Sequence, residues 1–350
     1  MSESVIASQR GIDVAALQRV HFDRDAPLLE VDDLHVEFHT RDGTAKAVNG
    51  VSFTLHEGET LGILGESGCG KSVTAQAIMG ILDIPPARVA GGKILFRGVD
   101  LQKMEEKTRR HIRANKIAMI FQDALSALNP VFTVGWQLGE IYRKHTEASR
   151  SQAKAKAVEL LDLVGIPAAK ERVNSFPHQF SGGMRQRVMI AMALALEPDI
   201  IIADEPTTAL DVTVQAQVMK LLSDLQQDYR MGLILITHDM AVMADVADKI
   251  CVMYAGNAVE QADVHQIYSR PAHPYSKGLL ESIPRVDMKG QELAAIKGLP
   301  PVLVDPPPGC PFHPRCTFAR ERCQEEKPEL YDVPGDRRSA CFFWEEVISS

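Results

Sequence analysis

Eight residues constrain this chain more than any others. Gly65-Glu66-Ser67-Gly68-Cys69-Gly70-Lys71-Ser72 fits the pattern G-x-x-x-x-G-K-[ST], directly after the apolar run Thr60–Leu64 and before a helix-like run from Val73 to Leu82. The glycines let the backbone curl so that successive N–H groups point inward at phosphate oxygens, and the helix that follows adds the positive end of its dipole. Lys71 is placed to reach the β- and γ-phosphates, and the Ser72 hydroxyl to sit on magnesium. Glu66, Ser67, Cys69 and Val73 complete the expected nucleotide-binding loop. Cys69 reads as a tolerated small residue, and the helix N-terminus beside it predicts a lowered thiol pKa and sensitivity to thiol reagents.

A second stretch carries the chemistry that such a loop needs. In Asp199–Leu210, read DIIIADEPTTAL, three isoleucines and an alanine run into Asp204 and Glu205. An unbroken apolar run of this length suits a strand buried on both faces of a parallel sheet. The two carboxylates then emerge at the carboxyl edge, where open α/β sheets bind ligands. One acid holds magnesium while its neighbour orients an attacking water, the division of labour in phosphoryl transfer.

The remaining composition narrows the class. Apolar residues make up 45% and charged residues 24% of the 350, the balance of an ordinary globular chain of about two domains. A formal net charge of −8 lacks the basic footprint of a nucleic-acid binder, so no nucleic-acid partner is expected. No apolar run approaches the roughly 18–20 residues of a membrane span, and no secretory signal opens the chain. The expected compartment is therefore the cytosol, where six cysteines read as metal ligands or free thiols before disulfides.

Along the chain, residues 1–27 are expected to form a flexible extension, with Val14–Val20 as a short helix at most. Strands are predicted at Leu28–Phe38, Ala47–Leu55 and Thr60–Leu64, and a strand pair over Arg88–Leu101 with turns at Gly91-Gly92 and Arg97-Gly98. A helix over Met104–Asn115 precedes the strand Ile117–Phe121, which ends at Gln122. From about 123 to 180 strand character disappears and helical spacing takes over, at Gly135–His145 and Ser151–Val164. Ser181-Gly182-Gly183 opens a further helix, Gln215–Tyr229 is another, and strands are predicted at Leu233–Thr237, ending at His238, and at Ile250–Tyr254. Prolines crowd the chain from about 266, together with four of the six cysteines, which predicts an appended domain over 266–350.

Taken singly, Gln122 reads as a solvated strand cap, His238 as an ordinary polar residue, and Ser181-Gly182-Gly183 as a helix N-cap. Their joint order changes the reading. A phosphate loop, a glutamine at a strand end, Ser-Gly-Gly, a strand ending Asp-Glu, Ala209-Leu210-Asp211 and a strand ending in histidine together resemble the nucleotide-binding subunit of ATP-binding cassette (ABC) transporters. The resemblance covers about 28–265. His273-Pro274-Tyr275 and the cysteines beyond it look like the C-terminal region of dipeptide and oligopeptide importer ATPases. The fold this implies is α/β: a P-loop ABC-type nucleotide-binding domain with a helical subdomain and a small Cys/Pro-rich C-terminal domain.

The resemblance implies roles residue by residue. Glu205 matches the catalytic base, Asp204 and Ser72 the magnesium ligands, and Gln122 the residue that touches magnesium and attacking water and whose loop faces the transmembrane subunit. Lys71 matches the phosphate-binding lysine and His238 the switch histidine at the γ-phosphate. Phe38 falls where an aromatic stacks on adenine, and Asp211 in the turn that signals across a dimer. Ser181, Gly182 and Gly183 match the signature that acts on ATP held by the opposite subunit. The sequence departs from the family pattern in Phe-Ser-Gly-Gly-Met for Leu-Ser-Gly-Gly-Gln, Phe38 for tyrosine, and Ala124 for proline.

Cofactors and partners follow from the same resemblance. They are ATP, Mg2+, a second ABC ATPase subunit (a homologous heterodimer partner or an identical copy), two transmembrane permease subunits and a solute-binding protein. The expected place is peripheral, on the cytoplasmic face of the inner membrane. The expected function is hydrolysis of ATP to drive uptake of dipeptides or oligopeptides. Import of nickel, glutathione or another small solute stays open, as does a soluble cassette ATPase of DNA repair or translation. Cys310, Cys316, Cys323 and Cys341 contain no C-x-x-C pair, yet four thiolates suit a tetrahedral sulfur site. The resemblance implies a 4Fe–4S cluster there, with zinc as the alternative.

Overall fold

The structure, a computed structural model, describes residues 22–123, 127–208, 210–283 and 296–350. The expected helix Val14–Val20, Ala124 and Ala209 lie outside the described residues. In chain order the first elements are β1 (Leu29–Thr40), β2 (Gly43–Leu55), β3 (Thr60–Leu64), α1 (Lys71–Met79), β4 (Ala87–Phe96), β5 (Val99–Asp100), α2 (Glu106–Asn115) and β6 (Ile117–Ile120). Then follow α3 (Val134–His145), α4 (Arg150–Leu163), α5 (Ala169–Arg172), α6 (Gly182–Leu194), β7 (Ile200–Asp204), α7 (Val212–Tyr229) and β8 (Gly232–Thr237). The last part has α8 (Met240–Val246), β9 (Lys249–Tyr254), β10 (Asn257–Asp263), α9 (Val264–Ser269), α10 (Pro274–Glu281), α11 (Glu321–Glu325), β11 (Tyr331–Val333), β12 (Arg337–Ser339) and α12 (Trp344–Ser349).

The chain divides into two compact units. Among the described residues, one comprises those within 22–29, 55–59 and 95–234, the other those within 30–54, 60–94 and 235–350. In the first, β6 runs parallel to β7, with Ile117 opposite Ile200 and Ile120 opposite Ala203. Every residue of β7 is buried, as a strand with three successive isoleucines requires. Helix α6 packs on β6, α3, α4 and α7. The start of α3 is fixed by Thr133, whose hydroxyl accepts the Trp136 N–H, and the start of α4 by a reciprocal Ser149–Gln152 capping box. Among the described residues between 123 and 180 there are helices and turns but no strand, as the sequence predicts.

In the second unit β2, β1 and β4 lie side by side, and a further sheet runs β3, β9, β10, β12, β11. β3 is parallel to β9, with Leu61 opposite Lys249 and Leu64 opposite Val252, so the phosphate loop leaves a wholly buried strand. Residues 266–283 and 296–350, expected as an appended domain, fall in the same compact unit as this loop. Gly91-Gly92, expected as a turn, lies inside β4. Gly92 sits at φ 89°, and a Cβ there would come within 2.3 Å of the Asp33 carbonyl oxygen. Its glycine serves a close backbone approach rather than a reversal. Chain reversal comes at Arg97-Gly98, between β4 and β5. Among the described residues no helix is long and apolar enough to cross a membrane.

Candidate functional site

The phosphate loop is shaped by what surrounds its backbone. Gly70 sits at φ 105°, and a Cβ there would lie 2.2 Å from the Ala47 carbonyl oxygen, so only glycine fits this step into α1. Lys71 opens the helix and is 5% exposed. Its Nζ donates to the Gly65 carbonyl at 2.8 Å and to the Glu66 carbonyl at 3.0 Å. A phosphate oxygen is a stronger acceptor for an ammonium than a neutral carbonyl, so this cation fits a nucleotide's β- and γ-phosphates. Ser67 and Gly68 form the exposed tip, while Ser72 and Val73 lie half-buried on the first turn of α1. The donor set suits MgATP.

Cys69 corrects one expectation. Its thiol is buried, and that burial raises its pKa, outweighing the opposite pull of the Lys71 ammonium. The desolvation cost of a thiolate here exceeds the benefit of the helix terminus. Phe38 is half-buried near the end of β1. His238 is exposed between the buried end of β8 and Asp239, whose carboxylate caps α8 by accepting the Ala241 N–H at 2.9 Å.

In the other unit, β7 delivers Asp204, buried, and Glu205, half-buried at φ 46°. Glu205 Oε2 accepts the Gln122 Nε2–H at 2.8 Å and the Thr208 hydroxyl at 2.9 Å. Residues 83 apart in sequence are thus brought together at the ends of the paired strands β6 and β7. Asp211 caps α7, accepting the Val214 N–H at 2.9 Å, and Ser181 caps α6, accepting the Met184 N–H at 3.3 Å. Gly182 and Gly183 form the first turn of α6, where backbone N–H groups lack intrahelical acceptors. Such a terminus can take an anion.

His273-Pro274-Tyr275 forms the start of α10. His273 Nδ1 accepts the Tyr275 N–H at 3.1 Å, and burial pushes the imidazole pKa down to about 3, so the ring is neutral. Glu260 accepts the Ala272 and His273 N–H groups at 2.6 and 3.0 Å. Sequence reasoning missed Thr208, Glu260 and Arg315. Thr208 lies in the quoted stretch, while the other two reach partners that only the fold brings near.

The cysteine expectation is overturned. Cys310, Cys316, Cys323 and Cys341 line one cavity with His273, Phe312 and Phe343, but its free volume is about 20 Å³, room for a single water-sized body. Burial pushes the Cys316 thiol pKa up to about 11 and that of Cys341 to about 12. Among the described residues no group of three or more His, Cys, Asp or Glu is arranged to hold a metal ion. The arrangement therefore does not support the expected 4Fe–4S cluster or its zinc alternative, and the four cysteines are free thiols that line the cavity with aromatic rings.

A phosphate loop closed by a buried lysine and a buried strand ending in Asp-Glu, held by a glutamine, define an ABC-type ATPase. The chain matches the ABC transporter family over residues 48–208 and the C-terminal region of oligopeptide/dipeptide transporters over 259–323. It is 54% identical over 301 residues to the dipeptide transport ATP-binding protein DppD of Bacillus subtilis, covering 86% of this chain and 90% of that one. It is 49% identical over 315 residues to the oligopeptide transport ATP-binding protein OppD of Escherichia coli, covering 90% and 93%. Among solved structures it resembles the dimeric MJ0796 ABC transporter cassette, with a TM-score of 0.60 and 26% identity over 67% of this chain and 98% of that one. The chain belongs to the family of dipeptide and oligopeptide transport ATP-binding proteins.

Proposed function

We propose that this ATPase hydrolyses MgATP to drive uptake of dipeptides or oligopeptides, working at the cytoplasmic face of the inner membrane with two permease subunits and a solute-binding protein. It pairs with a second ABC ATPase, a related subunit or another copy of itself. The observation that carries the reading is the Glu205 carboxylate, held at 2.8 Å by the Gln122 amide at the end of a buried strand. Glu205 polarises the water that attacks the γ-phosphate, and His238 contacts that phosphate. Lys71 and the loop from Gly65 to Val73 bind the phosphates, and Phe38 stacks on the adenine. Magnesium, bound with the nucleotide, neutralises charge on the phosphates, and Ser72, Asp204 and Gln122 are the residues that would hold it. Ser181, Gly182 and Gly183 act on ATP held by the paired subunit, and Asp211 signals between the two.

A permease contact is supported by apolar side chains soon after Gln122. Val131, Phe132 and Trp136 are exposed, and the last two stack with ring centroids 4.0 Å apart. Exposed apolar groups gathered in this way mark interaction surfaces. The test of the catalytic assignment is MgATP hydrolysis by the Glu205→Gln variant. It is expected to lose about a hundredfold or more in kcat, the usual worth of a positioned base, with MgATP binding kept. Hydrolysis at the unsubstituted rate would remove Glu205 from the mechanism.

A further inference from the structure

The phosphate loop is gripped by two side chains from the C-terminal region. Arg315 ends the short helical turn His313–Arg315, and its guanidinium meets the Glu66 carboxylate with two prongs, Nη1 to Oε2 at 2.6 Å and Nη2 to Oε1 at 2.9 Å. The Arg315 side chain is only 5% exposed. Nη1 also donates to the Tyr254 hydroxyl at 3.3 Å, Nε to the Lys297 carbonyl at 3.1 Å and Nη2 to the Ile296 carbonyl at 3.4 Å. Tyr275, fully buried, accepts the Glu66 backbone N–H on its hydroxyl oxygen at 2.8 Å. Tyr254, Tyr275 and Phe312 pack together, with centroid separations of 4.7–5.3 Å. Both the side chain and the backbone of Glu66 are therefore fixed from outside the loop, while its carbonyl receives Lys71.

A solvated ion pair would fix little, but a two-pronged pair with a nearly dry guanidinium sets both distance and orientation. We propose that Arg315 and Tyr275 are positioning residues for nucleotide binding. They hold Glu66 so that the loop is shaped for phosphate before ATP arrives, which makes ATP affinity depend on the C-terminal region. The proposal rests on the loop being the ATP site. Neither side chain is assigned a phosphate contact; both act through Glu66. Preorganisation lowers the cost of binding, so its loss raises KM more than it lowers kcat.

The experiment is steady-state MgATP hydrolysis and MgATP binding with the full-length chain. Arg315→Gln and Glu66→Gln each raise KM by about five- to twentyfold, the equivalent of one lost strong contact, with a smaller change in kcat. The double variant is no worse than the poorer single variant, because both remove the same pair. Tyr275→Phe, which loses only the acceptor for Glu66 N–H, raises KM about threefold. Glu66→Gln leaves Arg315 and its carbonyl contacts in place, so it reads the latch even where Arg315→Gln folds poorly. Unchanged KM in Arg315→Gln and Glu66→Gln, or effects that multiply in the double variant, overturns the proposal. A Lys71→Ala control separates the two levels. If it abolishes MgATP binding while the latch variants behave as the unsubstituted chain, the latch alone fails. If the unsubstituted chain binds no MgATP, the ATP-site reading fails and takes the latch with it.

Discussion

Glu205 sits at φ 46°, in a left-handed region that costs a residue with a Cβ about 1–2 kcal/mol. Glycine carries no such cost, so the strain belongs to the position and is kept for the carboxylate. Glu205→Gly is expected to abolish ATP hydrolysis yet leave the thermal midpoint level or slightly raised. A midpoint several degrees lower would show that the carboxylate's contacts with Gln122 and Thr208 matter more to the fold than the backbone does. Glu260 gives a second residue-scale expectation. Burial pushes its pKa from 4.5 up to about 7, against the opposing pull of the Ala272 and His273 N–H groups. The folded chain then holds this proton more tightly than the unfolded one. Its contribution is fully present below about pH 4.5 and is lost as pH rises through about 7, a swing of about 3 kcal/mol. Glu260→Gln stands in for the protonated carboxyl and removes the titration, so the denaturant midpoints of the two proteins should lie closest near pH 5 and separate as pH rises to 8, the unsubstituted chain losing stability. Parallel curves over that range would contradict the burial argument.

At the scale of elements, what the sequence reveals is what local pattern controls. β3, β7 and β8 are unbroken apolar runs, and their burial on both faces follows from composition alone. Ile201 in β7 is wholly buried, so Ile201→Ala should cost about 2–5 kcal/mol in urea unfolding, whereas Val131→Ala at an exposed position should cost almost nothing. Equal effects would mean that β7 is not a core strand. β10 escapes notice because Glu260 stands in its middle and breaks the apolar run, although that carboxylate is buried where it meets the N–H groups ahead of α10. Gly91-Gly92 misleads for a related reason. A glycine pair signals a turn locally, and only the neighbouring strand at Asp33 shows that it serves close approach. The candidate site divides along the same line. The phosphate loop and the Asp204-Glu205 strand end are contiguous and legible, whereas Arg315 reaches Glu66 across 249 residues of chain.

For the whole molecule, the notable feature is that the C-terminal region shares a compact unit with the phosphate loop. Tyr254 is almost fully buried, and Tyr275 and Phe312 are two of the rings that cover it. A chain ending at residue 265 loses both rings and leaves Glu66 without Arg315. It is expected to melt about 10 °C or more below the full chain, since burying each aromatic is worth several kcal/mol. An unchanged melt would make the C-terminal region an independent appendage. The cysteines carry a separate lesson at this scale. The family resemblance implies a cluster, yet among the described residues no group of three or more His, Cys, Asp or Glu is arranged to hold a metal ion.

This chain turns MgATP hydrolysis into peptide uptake. The most direct measurement is uptake of a radiolabelled dipeptide by cells from which the chain has been deleted, complemented with either the unsubstituted protein or Glu205→Gln. Deletion is expected to stop uptake, the unsubstituted chain to restore it, and Glu205→Gln to fail to restore it. Uptake that survives deletion, or that Glu205→Gln restores in full, would contradict that role.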